Sequence, residues 1–496
     1  MTSSGPRRSS DGITPDHRRV LARPFIPGEW ASIGNGSRVD AVIERIMAIP
    51  DDEVPALVSE VQARFGGRHR DLDGVLLRHA ALVHDLLLGV TLSLDRLMLL
   101  GAYLTQEYAV EGAALTNPSI VAAPDQRDTA PGELRFVLSV RAIGEGHISS
   151  VGFRTGIIRA DGEMDLDEHS RFAVAGTTAD TVYDRELFKR KLIESGADEE
   201  VTTFVLGRLP PQFTADELES WLRALDGYQF GAADVHDTVR LSHWLASSNY
   251  STTFAEDTAI SERVLFPVGP AESRGMEDAR FVRFTDEDQT VRYYATYTAF
   301  DGFAIRPQLI DTPDFRTFRI ATLNGVGVQT KGMALFPRKI GGRYMALTRP
   351  DRESIALSTA DHVRQWGGDP TVLWRPGSVP WDLIQIGNNG SPVETSAGWL
   401  VITHGVGPLR RYVLGALLLD LDDPTRVLGY LPHALLEPTE EERDGYVPNV
   451  VYSCGALIHG GRLVVPYGYS DVGAGIASFP LDDLLDRLTT AGATAS

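Results

Sequence analysis

Five stretches of this chain share one pattern, an apolar or aromatic strand that ends in a polar or charged residue. They are RFVLSVRAIGEG from Arg135, VRYYATYTAFDG from Val291, GGRYMALTRPD from Gly341, GWLVITHGV from Gly398 and GGRLVVPYGYSD from Gly460. From the second onward their starts lie roughly 50 to 65 residues apart, the spacing of one four-stranded propeller blade. A β-sandwich uses similar strands, but it does not readily put a polar residue at the same end of every unit. The pattern predicts a mainly β protein, a five-bladed β-propeller.

Two segments break the pattern. From about Ser37 to Glu111 the apolar residues recur at helical spacing, as in Val39, Val42, Ile43 and Ile46 after a Ser37 cap, and again from Ser93 through Leu100. Thr214 and Glu217 form a capping-box pattern ahead of Leu218, Trp221, Leu222 and Leu225. The expected organisation is a disordered tail over 1–20, an N-terminal helical region over 21–111, a propeller over 112–183 and 248–496, and a helical insertion over 184–247. The helical stripes read as packing surfaces or an oligomerisation module, and Arg68, His69 and Arg70 as a solvated basic face.

A length of 496 residues predicts two or three structural units, and 43% hydrophobic content suits a soluble globular protein. The formal charge of −20 disfavours nucleic-acid and anionic-membrane partners, so an anion site must be a local cationic pocket. The single cysteine, Cys454, fits a reducing compartment and reads as a packed small residue. The polar start lacks a secretory h-region, and Leu86 to Leu100 is too short and too charged to span a bilayer. A cytoplasmic protein is expected.

The sequence contains no HExxH helix, no GxxxxGK[ST] loop, no dinucleotide GxGxxG after a strand and no GxSxG elbow, so metalloprotease, nucleotide hydrolase and esterase readings lose their usual support. GEGHISS, from Gly144 to Ser150, reads as a tight turn. The string GMEDAR, Gly275 to Arg280, offers the acidic pair Glu277 and Asp278. Adjacent residues on an extended strand face opposite ways, so the motif is expected to supply one carboxylate to a sugar rather than the two that an ordinary glycosidase needs. Phosphate could replace the missing water and base, because it is already nucleophilic and needs only cations to orient it. Lys331, Arg349 and His404, on separate strand-like segments, suit that role. Each is equally suited to a structural part: Arg349 to pairing Asp351, Lys331 to a solvated loop, His404 to a turn, and Asp278 to capping a turn or bonding Arg280.

At these residues the sequence resembles glycoside hydrolase family 130, the β-mannoside phosphorylases and related β-mannosidases, whose hallmark is a GxEDPR segment on a five-bladed β-propeller. The resemblance extends to LTNPSIVAAPDQ from Leu115, the Arg135 stretch, TKGMALFPRKIGGRYMALTRPD from Thr330, IGNNGSPVETSAGWLVITHGV from Ile386 and YVPNVVYSCGALIHGGRLVVPYGYSD from Tyr446. It implies inverting, reversible phosphorolysis of a β-D-mannoside to α-D-mannose 1-phosphate and a shortened acceptor sugar. Inorganic phosphate is then a co-substrate, and no metal or organic cofactor is implied. It implies Asp278 as the general acid, acting through the mannose 3-hydroxyl. Lys331, Arg349, His404 and Tyr412 would bind phosphate. Asn117, Arg141 and Asp471 would surround the mannosyl unit, and Arg280 would position Asp278 or line the same floor. Ala279 stands where the family usually has proline, SPVETSA departs from the commoner PPI pattern, and the helical segments exceed the minimal family fold. A β-mannoside hydrolase and a noncatalytic carbohydrate-binding propeller are the alternatives, and the helical additions suit a homo-oligomer.

Overall fold

The computed structural model describes residues 6–9, 12–26, 38–87, 89–228 and 230–495. The protein is mainly β, and its strands run as five successive antiparallel meanders. The first comprises Ala114–Ala122, Leu134–Ile143, Ser149–Ile158 and Met164–Leu166. The second comprises Gly275–Thr285, Val291–Phe300, Ile305–Thr312 and Thr317–Thr322. The third comprises Ala334–Leu335, Tyr344–Thr348, Ile355–Ala360 and Thr371–Trp374. In the fourth, Gln385–Asn388 and Val393–Thr395 both pair with Gly398–Val406, followed by Tyr412–Leu419 and Val427–Tyr430. In the fifth, Val451–Tyr452 and Leu457–His459 both pair with Arg462–Tyr469, followed by Gly473–Pro480.

Each meander is buried on both faces, which the strand period of two explains. Along Val291–Phe300, Tyr293, Ala295, Tyr297 and Ala299 pack with Val137 and Phe153 of the first meander. Tyr294 points the other way, towards Leu335 and Ala346 of the third. Phe336 and Leu357 of the third meander pack on Trp399 and Leu417 of the fourth. Leu400 and Leu414 of the fourth pack on Leu463 and Phe479 of the fifth. Val464 and Ile476 of the fifth meet Leu115 and Leu138 of the first.

Helices occupy the two segments where the apolar period lengthens. Arg38–Met47, Val54–Phe65, Leu72–Ala81 and Leu94–Tyr103 enclose their own core. Ser93 caps the last of these by accepting from Arg96 N, while Ser37 lies outside the described residues. Arg185–Glu194, Glu199–Leu206, Ala215–Ala224 and Ala232–Ser247 enclose another core, and both bonds of the Thr214/Glu217 capping box are made. A helix not expected from the sequence, Leu481–Ala495, lays Leu484 and Leu488 on the core between the fourth and fifth meanders. No helix among the described residues is long and apolar enough to cross a membrane.

Two expectations need correction. Where residues 6–9 and 12–20 are described, they are anchored rather than loose. Arg7–Arg8 adds an edge strand to Gly473–Pro480, Arg8 pairs with Glu442, and Arg19 is completely buried against Glu111. Polarity concealed this, because these arginines are held by partners more than 90 residues away in sequence. Nor is Arg68–Arg70 a solvated face: Arg68 and His69 both bind Glu107, and Arg70 binds Glu262 and Asp257.

Candidate active site

Asp278 lies at a break in strand pairing. Glu277 opposes Thr298 and Arg280 opposes Thr296, so Asp278 and Ala279 together face a single position of the partner strand. That is a β-bulge, and Asp278 takes φ = 55° within it, a left-handed conformation that Asp tolerates better than most side chains. The first meander repeats the device, with Asn117 at φ = 49° in the break between Thr116 and Ser119. The two bulges meet: Asn117 Nδ2 donates to Asp278 Oδ1 at 2.6 Å.

The bulge overturns the expectation that Glu277 and Asp278 face opposite ways. Arg141 donates to Glu277 Oε1 at 2.6 Å and lies 3.7 Å from Asp278 Oδ1, so one guanidinium serves both carboxylates. Asp471, at φ = 51°, joins them through Thr116, whose hydroxyl lies 3.0 Å from Asn117 Oδ1 and 3.4 Å from Asp471 Oδ1. The charge of Arg141 thus reaches all three carboxylates. Their electrostatics differ. Burial raises Glu277 and Asp471 above the ordinary carboxylate range. Burial also pushes Asp278 upward, but Arg141, Arg280, the Asn117 bond and Lys331 outweigh it and hold Asp278 below its ordinary value.

Arg280 joins this cluster to a cationic one. It is 2% exposed; Nη1 donates to the Asp278 carbonyl at 2.9 Å, Nε to the Asn389 carbonyl at 2.6 Å and Nη2 to the Tyr452 hydroxyl at 3.0 Å. It therefore holds the Asp278 backbone, not its carboxyl group. The Asn389 side chain meets His404 Nδ1 at 2.9 Å, and His404 stacks on Tyr412 with ring planes 15° apart. His404 is 1% exposed in the middle of a strand, not in a turn, and burial among Arg349, Arg280 and Lys331 drives its pKa well below the ordinary imidazole value. It is a neutral ring at pH 7.

Arg349 is 4% exposed and forms no ion pair among the described residues. Asp351 instead accepts from Glu353 N and Ser354 N and lies 4.0 Å from Arg375. Arg349 Nη2 donates to the Arg352 carbonyl, while its Nε and Asn389 Nδ2 are buried donors with no acceptor among the described residues. Gly387 makes the approach of Arg349 and His404 possible, since a Cβ there would sit 2.5 Å from His404 Cε1 and 2.7 Å from Arg349 Nε. Lys331 is exposed and forms no ion pair among the described residues, yet its charge reaches Glu277, Asp278 and His404. The result is a donor-rich floor beside a carboxylate cluster, an arrangement suited to an anion next to a proton-transfer group.

Every residue to which the family resemblance gave a part lies in this one constellation. Glu277, Asn389 and Tyr452 join it without having been assigned a part, and all three lie inside sequence blocks already carrying the resemblance. Cys454 is buried, and burial pushes its thiol up to about 12, which fits packing rather than nucleophilic chemistry. Among the described residues no group of three or more His, Cys, Asp or Glu side chains is placed to hold a metal ion.

Known proteins resemble part of this sequence. The chain is 32% identical over 231 residues to a β-1,2-mannobiose phosphorylase of Listeria innocua, a match covering 45% of this chain and 63% of that protein. It is 34% identical over 225 residues to a 1,2-β-oligomannan phosphorylase of a Thermoanaerobacter species, covering 43% and 71%. A solved structure of β-1,2-mannobiose phosphorylase from Listeria innocua, in complex with β-1,2-mannobiose, superposes with a TM-score of 0.44 at 22% identity over 77% of this chain and 93% of that one. The profile of glycoside hydrolase family 130, described as β-1,4-mannooligosaccharide phosphorylase, matches residues 217–490, more than half of the 496. The chain belongs to glycoside hydrolase family 130.

Proposed function

We propose that this protein is a β-mannoside phosphorylase, transferring a β-D-mannosyl unit to inorganic phosphate with inversion to give α-D-mannose 1-phosphate and a shortened acceptor. The observation that carries the reading is Arg349, a buried guanidinium that among the described residues has no carboxylate partner and whose Nε, beside His404, has no acceptor. An unpaired buried cation is costly, and a phosphate oxygen would neutralise it. Lys331 adds a second charge, Tyr412 orients the His404 ring, and neutral His404 can accept from the phosphate's own hydroxyl. Relatives named as phosphorylases of β-1,2- and β-1,4-mannosides support the same reaction class.

In this reading Asp278 gives a proton towards the glycosidic oxygen, relayed by the mannose 3-hydroxyl, while phosphate attacks the anomeric carbon from the opposite face. The C–O bond to the acceptor breaks as the C–O bond to phosphate forms, which inverts the centre. Asn117, Arg141 and Asp471 hold the mannosyl hydroxyls, and Arg280 fixes the bulge. Asp278 is held ionised by nearby cations, so bound phosphate does more than attack. It offsets Lys331 and the guanidinium groups, and so lets Asp278 take up the proton it must donate. Five meanders, each packed on the next and the fifth on the first, support a five-bladed ring formed by 112–183 and 248–496, with 184–247 inserted.

A β-mannoside hydrolase is the second reading, and one observation favours it: Glu277 and Asp471 are further carboxylates beside Asp278, either of which could activate water. The two readings separate on phosphate. Replacing Arg349 by Ala should raise the KM for phosphate by about 10- to 150-fold, the loss of a charge-assisted bond worth roughly 1.5–3 kcal/mol, with the fold intact by circular dichroism. Turnover in phosphate-free buffer that is unaltered by the substitution would assign the site to hydrolysis.

A further inference from the structure

Away from the catalytic cluster, a cavity of about 470 Å³ opens between the helices over 185–247 and the outer strands of the second meander. Its walls include Lys191 and Trp244 from the helices, Asp301, Arg306 and Gln308 from the meander, and Gln329. We propose that this cavity is a saccharide subsite that receives sugar units of a mannoside chain beyond those at the reacting bond. The proposal rests on the mannoside reading of the main site and extends it to substrate length.

The cavity's charges are already balanced inside the protein. Arg306 Nη1 donates to Asp301 Oδ2 at 2.7 Å, Lys191 lies 3.6 Å from Glu194 and donates to the Leu323 carbonyl, and Arg240 lies 3.4 Å from Asp237. An ionic ligand would find no free charge, which favours a neutral polar one. Gln308, 1% exposed, belongs to the cavity wall, and its amide Nε2 is buried with no partner among the described residues. Its other amide atom faces Tyr297, whose single hydroxyl proton is also claimed by the Glu272 carboxyl group. Whichever way the amide is turned, one of its polar atoms remains buried and unpartnered. A buried amide atom in that position costs about 1–3 kcal/mol until it is bonded. A hydroxyl both donates and accepts, so a sugar satisfies either orientation. Trp244 adds a partly exposed ring, fixed by the Arg306 guanidinium 4.9 Å from its centroid.

The position suits a continuation of the substrate path. Thr298 pairs with Glu277, and Asp301 lies three residues further along the chain, about 10 Å at the strand rise of ~3.3 Å per residue. On the opposite wall Gln329 stands two residues before Lys331. The helices over 185–247 therefore have a role of their own, to roof the route by which a long chain leaves the catalytic cluster.

The test is calorimetric binding of β-1,2- and β-1,4-linked mannobiose and mannotetraose, without phosphate, to the full chain and two variants. Ser195→Trp fills the cavity mouth from the exposed end of helix Arg185–Glu194, and Gln308→Leu removes the unpartnered amide at nearly constant volume. Wild-type protein should bind the tetraose of one linkage about ten-fold or more tighter than the biose, the worth of one or two added hydrogen bonds with their buried surface. Ser195→Trp should bind both equally while retaining wild-type affinity for the biose, and Gln308→Leu should lose most of the difference. Equal affinity for tetraose and biose in the wild type, or a preference that survives Ser195→Trp, overturns the subsite and leaves the main site untouched. Absence of binding to all four saccharides contradicts the mannoside reading itself and takes the subsite with it.

Discussion

Asp278 and Glu277 are neighbours in sequence and differ in the direction of their titration, the one lowered by surrounding cations and the other raised by burial. This sets a pH linkage with a definite sign. In the proposed reaction, phosphate bound among Lys331, Arg349 and His404 would cancel part of the positive field that depresses Asp278, so the carboxyl group should take up protons as phosphate binds. Calorimetric titrations of phosphate at pH 5, in buffers of different ionisation enthalpy, should show more proton uptake in the wild type than in Asp278→Asn. The same proton count in both proteins would detach Asp278 from the anion site. Most of these side chains were legible in the sequence because charged groups are conspicuous on apolar strands. Asn389 and Tyr452 were not, since an amide and a phenol acquire meaning only from what they touch: here His404 and Arg280.

At the scale of the element, the bulge is what the strand pattern could not reveal. Regular alternation puts Glu277 and Asp278 on opposite faces, and one extra residue with a left-handed φ brings both to Arg141. The clue was present at Asn117–Pro118, where proline follows a left-handed residue in the same register shift as that at Asp278. Proline is tolerated at bulges because the extra residue stands outside the hydrogen-bond ladder. Ala279→Pro should accordingly be accepted, stabilising the protein by about 0.4–1 kcal/mol through a less flexible unfolded chain and leaving phosphorolysis within a few-fold of wild type. A lower Tm, with activity lost, would mean that the Ala279 N–H or backbone angle is needed. The capping box at Thr214 and the cap at Ser93 were readable because caps are local chemistry. The strand Arg7–Arg8 was not, as its partner lies at the far end of the chain.

Across the whole molecule, long-range ion pairs tie the chain's beginning to its β body. Arg19 and Arg154 share the fully buried Glu111, which also accepts from the Asp16 backbone N–H. Glu111→Gln takes from two buried guanidinium groups the carboxylate they share and should cost about 3–5 kcal/mol, seen as a lower denaturant midpoint. A midpoint unchanged from wild type would mean that solvent reaches the cluster. Arg70 likewise joins the N-terminal helices to Glu262, so these helices are attached to the β body by specific charges as well as by packing. The order of the five meanders was visible in the spacing of their strands. The site was visible as a set of unusual charges, but its unity depends on the first, second, third, fourth and fifth meanders each presenting residues to one place.

We propose that at this convergence phosphate, not water, receives the mannosyl unit. The direct test is to incubate the purified full chain with β-1,2- and β-1,4-linked mannobiose in phosphate buffer and in phosphate-free buffer, following products by phosphorus and proton NMR. Phosphorolysis requires α-mannose 1-phosphate and one equivalent of mannose from one of the two linkages, with no turnover when phosphate is withheld. Release of two mannose molecules per disaccharide at the same rate in both buffers would contradict it.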